Sequence, residues 1–235
     1  MSSHLILGID TSSGWGSMGL TDRQGMVASA TVRVREGHSR GLTLRIENLM
    51  KDVGIDPGQL SAIGVVNGPG SFTALRVGVA TAQGLGMGLE VPVVPLGSLE
   101  ALAAGVPPLA GRLLTLLPAR KNEVFAQVFT VSSETRWIPE NEISCLNLEE
   151  LSIFRQNIQC ITGPALDLYP EELKVLLGGS ALWAPLSCRY AQGAAVAELA
   201  RQALKENPNA FPAESITIQY LQSHGAQTIA ERERR

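Results

Sequence analysis

Apolar residues gather first at Leu5 to Ile9, then through Trp15 to Leu20 and Met26 to Val34, with Ser-Gly and Asp-Arg-Gln-Gly segments between. Apolar runs of this length bounded by turn residues predict three consecutive strands in a meander. From Ser39 to Val53 the period changes, because Leu42, Ile46, Leu49, Met50 and Val53 recur three and four positions apart. That spacing predicts an amphipathic helix. Ala62 to Val66 is short and almost wholly apolar, as expected of a strand buried on both faces of a mixed or parallel sheet. A Gly68-Pro69-Gly70 turn ends it, and the pattern beyond predicts a helix over Phe72 to Leu89, a strand around Val91 to Val94 and a short helix near Ser98 to Ala104.

Pro107, Pro108 and Gly111 then break the chain. A second strand set follows at Leu113 to Leu117 and Val124 to Val131, with a helix over Leu148 to Phe154, a strand at Ile158 to Thr162 and an alanine-rich helix over Gln192 to Lys205. The expected organisation is a two-lobed α/β protein: residues 1–106 as an N-terminal lobe, 107–212 as a smaller second lobe, and 213–235 as a tail, disordered in part.

Composition narrows the picture. The chain has 235 residues, 45% hydrophobic and 17% charged, enough apolar material for a sizeable core. A net charge of -3 offers no general attraction for a polyanion, which disfavours direct nucleic-acid binding. Cys145, Cys160 and Cys188 are odd in number and lack CxxC spacing, so reduced thiols in the cytoplasm are expected. No apolar run approaches the roughly 20 residues of a membrane span.

Three segments carry candidate chemistry. Asp10-Thr11-Ser12-Ser13-Gly14 ends the first strand, where small residues let backbone amides approach a phosphate and Asp10 could hold a metal. A tight hairpin with an Asp cap uses the same residues. Asn67 to Arg76 joins a strand, a Gly-Pro-Gly turn and a Ser/Thr helix start, with Ser71 placed to cap the helix and the lysine of a P-loop missing. In the helix from Phe72, residues Phe72, Leu75, Val79, Ala82, Gly86 and Leu89 form an apolar stripe, while Ala74, Gly78, Ala82 and Gly86 form a row of small residues. Each interior glycine costs about 1 kcal/mol against alanine, so close packing must compensate, against either the sheet beneath or another subunit. His4, His38 and His224 lack the spacing that brings two imidazoles to one helical face, and no Gly-x-Ser-x-Gly elbow occurs.

The strand Leu5 to Asp10 with Thr11-Ser12, the run Gly68-Pro69-Gly70-Ser71-Phe72-Thr73 with Leu75-Arg76-Val77-Gly78, His38-Ser39, Pro95 to Leu99 and Ala119 to Phe125 together resemble the TsaB (YeaZ) family. The resemblance implies an ASKHA fold, that of actin, sugar kinases and Hsp70, with a ribonuclease-H-like mixed sheet in each lobe. It further implies a non-catalytic scaffold for threonylcarbamoyladenosine formation in tRNA, one that binds and stabilises the catalytic subunit TsaD and works with the ATPase TsaE. A homodimer is expected when TsaD is absent, with tRNA met only through the complex. Ala74 stands where the family usually has glycine, Pro118 replaces an aspartate before Ala119-Arg120, and Ile218 to Leu221 loosely echoes a terminal Pro-x-Tyr-Leu.

The expected interface lies on the two N-lobe helices, at Leu42, Ile46, Leu75, Arg76, Gly78, Val79, Ala82 and Gly86. Asp10, Thr11, Ser12 and Ser13 are expected to form a weak or vestigial loop for ATP or ADP, with no required cofactor and no metal. Two enzyme readings compete: an ATP-dependent kinase or ATPase of the sugar-kinase superfamily, and a glycoprotease-like metallopeptidase.

Overall fold

The structure is a computed structural model that describes residues 4–34, 41–208 and 210–221. In the first lobe β1 (Leu5–Asp10) pairs antiparallel with β2 (Trp15–Asp22), which pairs antiparallel with β3 (Gly25–Arg33), completing the meander. β1 also pairs in parallel with β4 (Leu60–Gly68), and β4 with β5 (Val93–Gly97), so the order is β3-β2-β1-β4-β5. β1 lies at the centre and all of its residues are buried. The alternation of a strand divides them. Leu5, Leu7 and Ile9 point to one core with Leu42, Ile46 and Met50 of α1 (Leu42–Asp52) and Val79 and Ala82 of α2 (Phe72–Leu89), whereas Ile6 joins a different core on the opposite face.

That opposite face is built for close approach. Gly8, Gly19 and Gly64 stand side by side on β1, β2 and β4, and a Cβ at any of them would strike α6 (Gly193–Glu206). Gly8 lies under the backbone at Gly193 and Ala197, Gly19 under Ala194, and Gly64 under Ala200. An alanine-rich helix thus rests directly on a glycine channel. The sequence pattern placed this helix with residues 107–212, but its packing is on the first sheet, against β1, β2 and β4. Periodicity identifies a buried face and not what covers it.

The second lobe repeats the topology. β6 (Arg112–Pro118) pairs antiparallel with β7 (Glu123–Val131), which pairs with β8 (Trp137–Pro139) and β9 (Ser144–Asn147). On its other side β6 runs parallel to β10 (Cys160–Thr162), and β10 to β11 (Leu182–Trp183). The two mixed sheets match the expected pair of ribonuclease-H-like lobes. α3 (Ser98–Ala104) and α6 lie between them, sharing one core with Leu113, Leu117, Phe125 and Phe129. On the outer face α4 (Ala165–Leu168), α5 (Pro170–Leu177) and residues Leu148–Phe154 cover Leu114, Leu116 and Val124. Leu148–Phe154 forms a 3-10 helix instead of the expected α-helix, opened by a reciprocal Asn147–Glu150 capping box.

The segment 211–219 returns to the first lobe. Phe211 O accepts from Val93 N, Gln83 Nε2 donates to Ala213 O and Ile216 O, and Asn67 bonds Thr217 O and Gln219 N. Ala213 and Ile216 are buried in the α1/α2 core. The start of the predicted tail is therefore a fixed part of the fold; His38, Ser39, His224 and residues 222–235 lie outside the described residues.

Candidate functional site

Between the lobes lies a cleft of about 660 Å³. Its first wall is the β1–β2 turn, carrying Ser12, Ser13 and Gly14, together with Gly70 and Ser71 at the start of α2. These two loops are joined backbone to backbone, Ser71 N donating to Ser12 O at 2.8 Å. Gly70 has φ 156° and presses against Ser12 O, so the junction leaves no room for a Cβ.

The side chains of the predicted phosphate loop divide between fold and cleft. Asp10 is buried, and its Oδ1 accepts from Ser12 N at 2.9 Å. Burial lifts its carboxyl to about 6 against the opposing pull of the Ser12 hydrogen bonds. Thr11 Oγ1 donates to Ala74 O at 2.7 Å and is wholly buried. Ser13 Oγ accepts from Trp15 N. Only Ser12 and Ser13 reach the cleft. The loop has the form of a hairpin with an Asp cap, the alternative reading of the same residues. Ser71, placed by sequence as a helix cap, makes no side-chain cap bond; its contribution is the backbone N–H given to Ser12.

The facing wall comes from the turn between β6 and β7: Pro118, Ala119, Arg120 and Glu123. Glu123 Oε2 is buried without a hydrogen-bond partner among the described residues. Beside it, burial and then the Glu123 charge push the Cys145 thiol upward, away from reactivity. At the rim the Arg76 guanidinium lies over the Phe72 ring, 3.7 Å from its centroid, and the Tyr220 ring meets Phe72 at 5.0 Å, tilted by 48°. Pro118 supplies no carboxylate, and among the described residues no group of three or more His, Cys, Asp and Glu side chains converges on one point. The cleft can offer backbone amides, hydroxyls, one arginine and the Glu123 carboxylate to a ligand.

The expected interface residues turn out to face inward. Leu42, Ile46, Leu75, Val79 and Ala82 are at most 5% exposed within the single chain. A Cβ at Gly78 would meet Thr11 Oγ1, and one at Gly86 would meet Val93, so the small-residue row lets α2 approach the sheet. Arg76 alone of that set is exposed. Facing outward instead is a different stripe of α2, Met87, 62% exposed, with Ala80, Gly84 and Gly88, while Leu44 on α1 is 59% exposed. Among the described residues, nothing lies within 4 Å of where a Cβ would stand at Gly84 or Gly88.

Comparison with known proteins gives these features a context. The family model described as TsaD, tRNA N6-adenosine threonylcarbamoyltransferase, matches residues 30–167. The tRNA threonylcarbamoyladenosine biosynthesis protein TsaB of Bacillus subtilis strain 168 is 32% identical over 175 residues, covering 74% of this chain and 76% of the relative. Among solved structures, YeaZ from Pseudomonas aeruginosa superposes with a TM-score of 0.78 at 21% identity, covering 94% of this chain and all of that one. Component A of the (R)-2-hydroxyglutaryl-CoA dehydratase of Acidaminococcus fermentans follows the same fold more loosely, with a TM-score of 0.53 at 14% identity over 86% of this chain and 99% of that one.

Proposed function

Since the chain belongs to the TsaB family, within the wider group that the threonylcarbamoyltransferase model describes, we propose that it is a non-catalytic subunit for threonylcarbamoyladenosine formation in tRNA. It binds and stabilises TsaD through the α1/α2 face of its first lobe and works alongside the ATPase TsaE. When TsaD is absent the same face pairs two copies of the chain, because a two-fold axis lets one patch complement itself. Contact with tRNA runs through the complex. ATP or ADP binding at Ser12 and Ser13 is weak and not required.

The observation that carries this reading is the outward stripe on α2. Met87 puts apolar surface into solvent beside a flat floor made by Ala80, Gly84 and Gly88, and Leu44 adds an exposed apolar side chain on α1. Small residues on an exposed helix face let a second helix come close, and the apolar rim gains from being covered. The cleft supports the scaffold role from the other side. Its aspartate is sealed into a hairpin, and on its second wall Pro118 replaces the family's aspartate, which leaves Glu123 as a lone carboxylate.

Reconstitution tests both halves. The purified chain mixed with threonylcarbamoyl-adenylate and tRNA should yield no product until TsaD is added, and Asp10→Asn should leave the complete system active. Gly84→Arg should abolish co-elution with TsaD while circular dichroism and melting stay near wild type, since the site is exposed. Modification by the chain alone, or loss of product with Asp10→Asn in a folded chain, would restore an enzymatic reading. Unchanged TsaD capture by Gly84→Arg would move the interface elsewhere.

A further inference from the structure

A pocket of about 600 Å³ opens at the end of the first sheet where β1, β4 and β5 begin, the opposite end of β1 from the cleft. This is the size of sites that enclose small organic molecules. Ile6, Ala62, Pro92 and Leu204 give it an apolar lining. Three cations share that lining. Arg23 comes from the β2–β3 turn, and Arg201 and Lys205 stand one turn apart on α6, on one face of the helix.

Among the described residues that line the pocket, none carries a carboxylate. The acids next to the cations in sequence, Asp22 and Glu206, lie outside the lining, and Asp22 Oδ1 is engaged in the turn, accepting from Gln24 N at 2.7 Å and Gly25 N at 3.2 Å. Arg201 is fixed and its side chain is only 12% exposed: Nε is paired with Glu198 at 3.0 Å, Nη1 donates to His4 O at 3.1 Å and Nη2 to Thr21 Oγ1 at 2.8 Å. A guanidinium has five N–H donors, so both Nη atoms keep one that no described residue takes up. Glu198 offsets the Arg201 charge, whereas Arg23 and Lys205 form no salt bridge among the described residues and leave the pocket with excess positive charge. Exposed cations need no partner of their own. Their convergence is what matters, because a concavity lined by one sign of charge over low-dielectric walls concentrates ions of the opposite sign. Ser61 adds no donor, since its hydroxyl hydrogen is given to Leu5 O at 2.9 Å.

We propose that this pocket binds a phosphate monoester with a short aliphatic body. Its head, close to doubly charged at neutral pH, is held by Arg23, Lys205 and the fixed Arg201, and its chain lies against Ile6, Ala62 and Leu204. No residue of the cleft, of α1 or of α2 takes part, so the chain binds this ligand without TsaD.

The test is calorimetry on the full chain with four probes: hexyl phosphate, inorganic phosphate, which lacks the chain, hexanoate, which carries a single charge, and hexanol, which carries none. Hexyl phosphate should bind roughly tenfold or more tightly than each of the others, the difference expected for a charged hydrogen bond or a few buried methylenes. Arg23→Gln and Lys205→Gln change exposed side chains and leave the fold intact; each should weaken hexyl phosphate by roughly tenfold without affecting hexanol. The cleft holds an arginine too, and Arg120→Gln should leave the binding of hexyl phosphate unchanged. Absence of heat from hexyl phosphate would overturn the proposal, as would equal binding of hexanol or of inorganic phosphate. Binding that survives both Arg23→Gln and Lys205→Gln but is lost with Arg120→Gln would place the anion in the cleft and overturn it as well.

Discussion

The inward packing of α2 makes a sharp prediction about two of its glycines. Alanine at an interior helical position is favoured over glycine by about 1 kcal/mol, so in isolation Gly78→Ala and Gly84→Ala should be equally stabilising. The surroundings separate them. At Gly84 a Cβ enters open space, and the substitution should raise stability by up to about 1 kcal/mol, or roughly 2–4 °C for a chain of this size. At Gly78 the Cβ would stand 2.4 Å from Thr11 Oγ1, well inside van der Waals contact distance, and that hydroxyl is engaged with Ala74 O at 2.7 Å. Overpacking costs roughly 1–3 kcal/mol and the displaced hydrogen bond about 1 kcal/mol more. Set against the helical gain, Gly78→Ala should lose about 1–3 kcal/mol. Urea unfolding of both variants, followed by circular dichroism with a common slope, reads the difference directly. Equal stabilisation by both would mean that α2 does not meet the β1–β2 turn at Thr11 through Gly78.

Further outcomes follow from the cleft and the returning segment. Burial raises the Asp10 carboxyl from 3.8 to about 6, so the folded chain keeps a proton that the unfolded chain releases; stability should fall by on the order of 2–3 kcal/mol as pH rises from about 4 to about 6, and Asp10→Asn should flatten that window in urea titrations. Ser71→Ala should cost well under the roughly 1 kcal/mol of a true cap, because its hydroxyl makes no cap bond; thermal melting is sufficient to check it. Gln83→Ala strips the side-chain donors from Ala213 O and Ile216 O and should speed amide exchange across residues 213–219 while the strands of the first sheet keep their protection.

Much of this architecture is legible in the chain. The helix Phe72–Leu89 has the boundaries that its apolar spacing indicates, and the meander and β6–β7 pair follow from short apolar runs between turn residues. The direction of the small-residue row was also written there: Ala82 and Gly86 belong to both that row and the apolar stripe, so the row had to lie beside the buried face. What periodicity could not supply is a partner for a face, and α6 shows it, since its alanines fit a glycine channel formed by strands more than a hundred positions earlier. β8, β9 and β11 span two to four residues each, too short for a period to register, whereas β10 falls within the strand expected at Ile158 to Thr162. In the cleft, Asp10 and Ser71 have the side chains of a phosphate site, and only coordinates reveal that one is spent inside a hairpin and the other acts through its backbone.

The glycine channel under α6 also bears on how the chain is made. When residues 1–106 have left the ribosome, all five strands of the first sheet exist, yet Gly8, Gly19 and Gly64 still present a bare strip of backbone on one face. Its cover, Gly193–Glu206, arrives only after the whole of the second sheet has been synthesised. The first lobe is thus closed last, by a contact of very long sequence separation, and the nascent chain carries an open sheet face through most of its synthesis. Slow translation late in the message, or truncation before residue 193, would prolong exposure of that face and favour aggregation over folding.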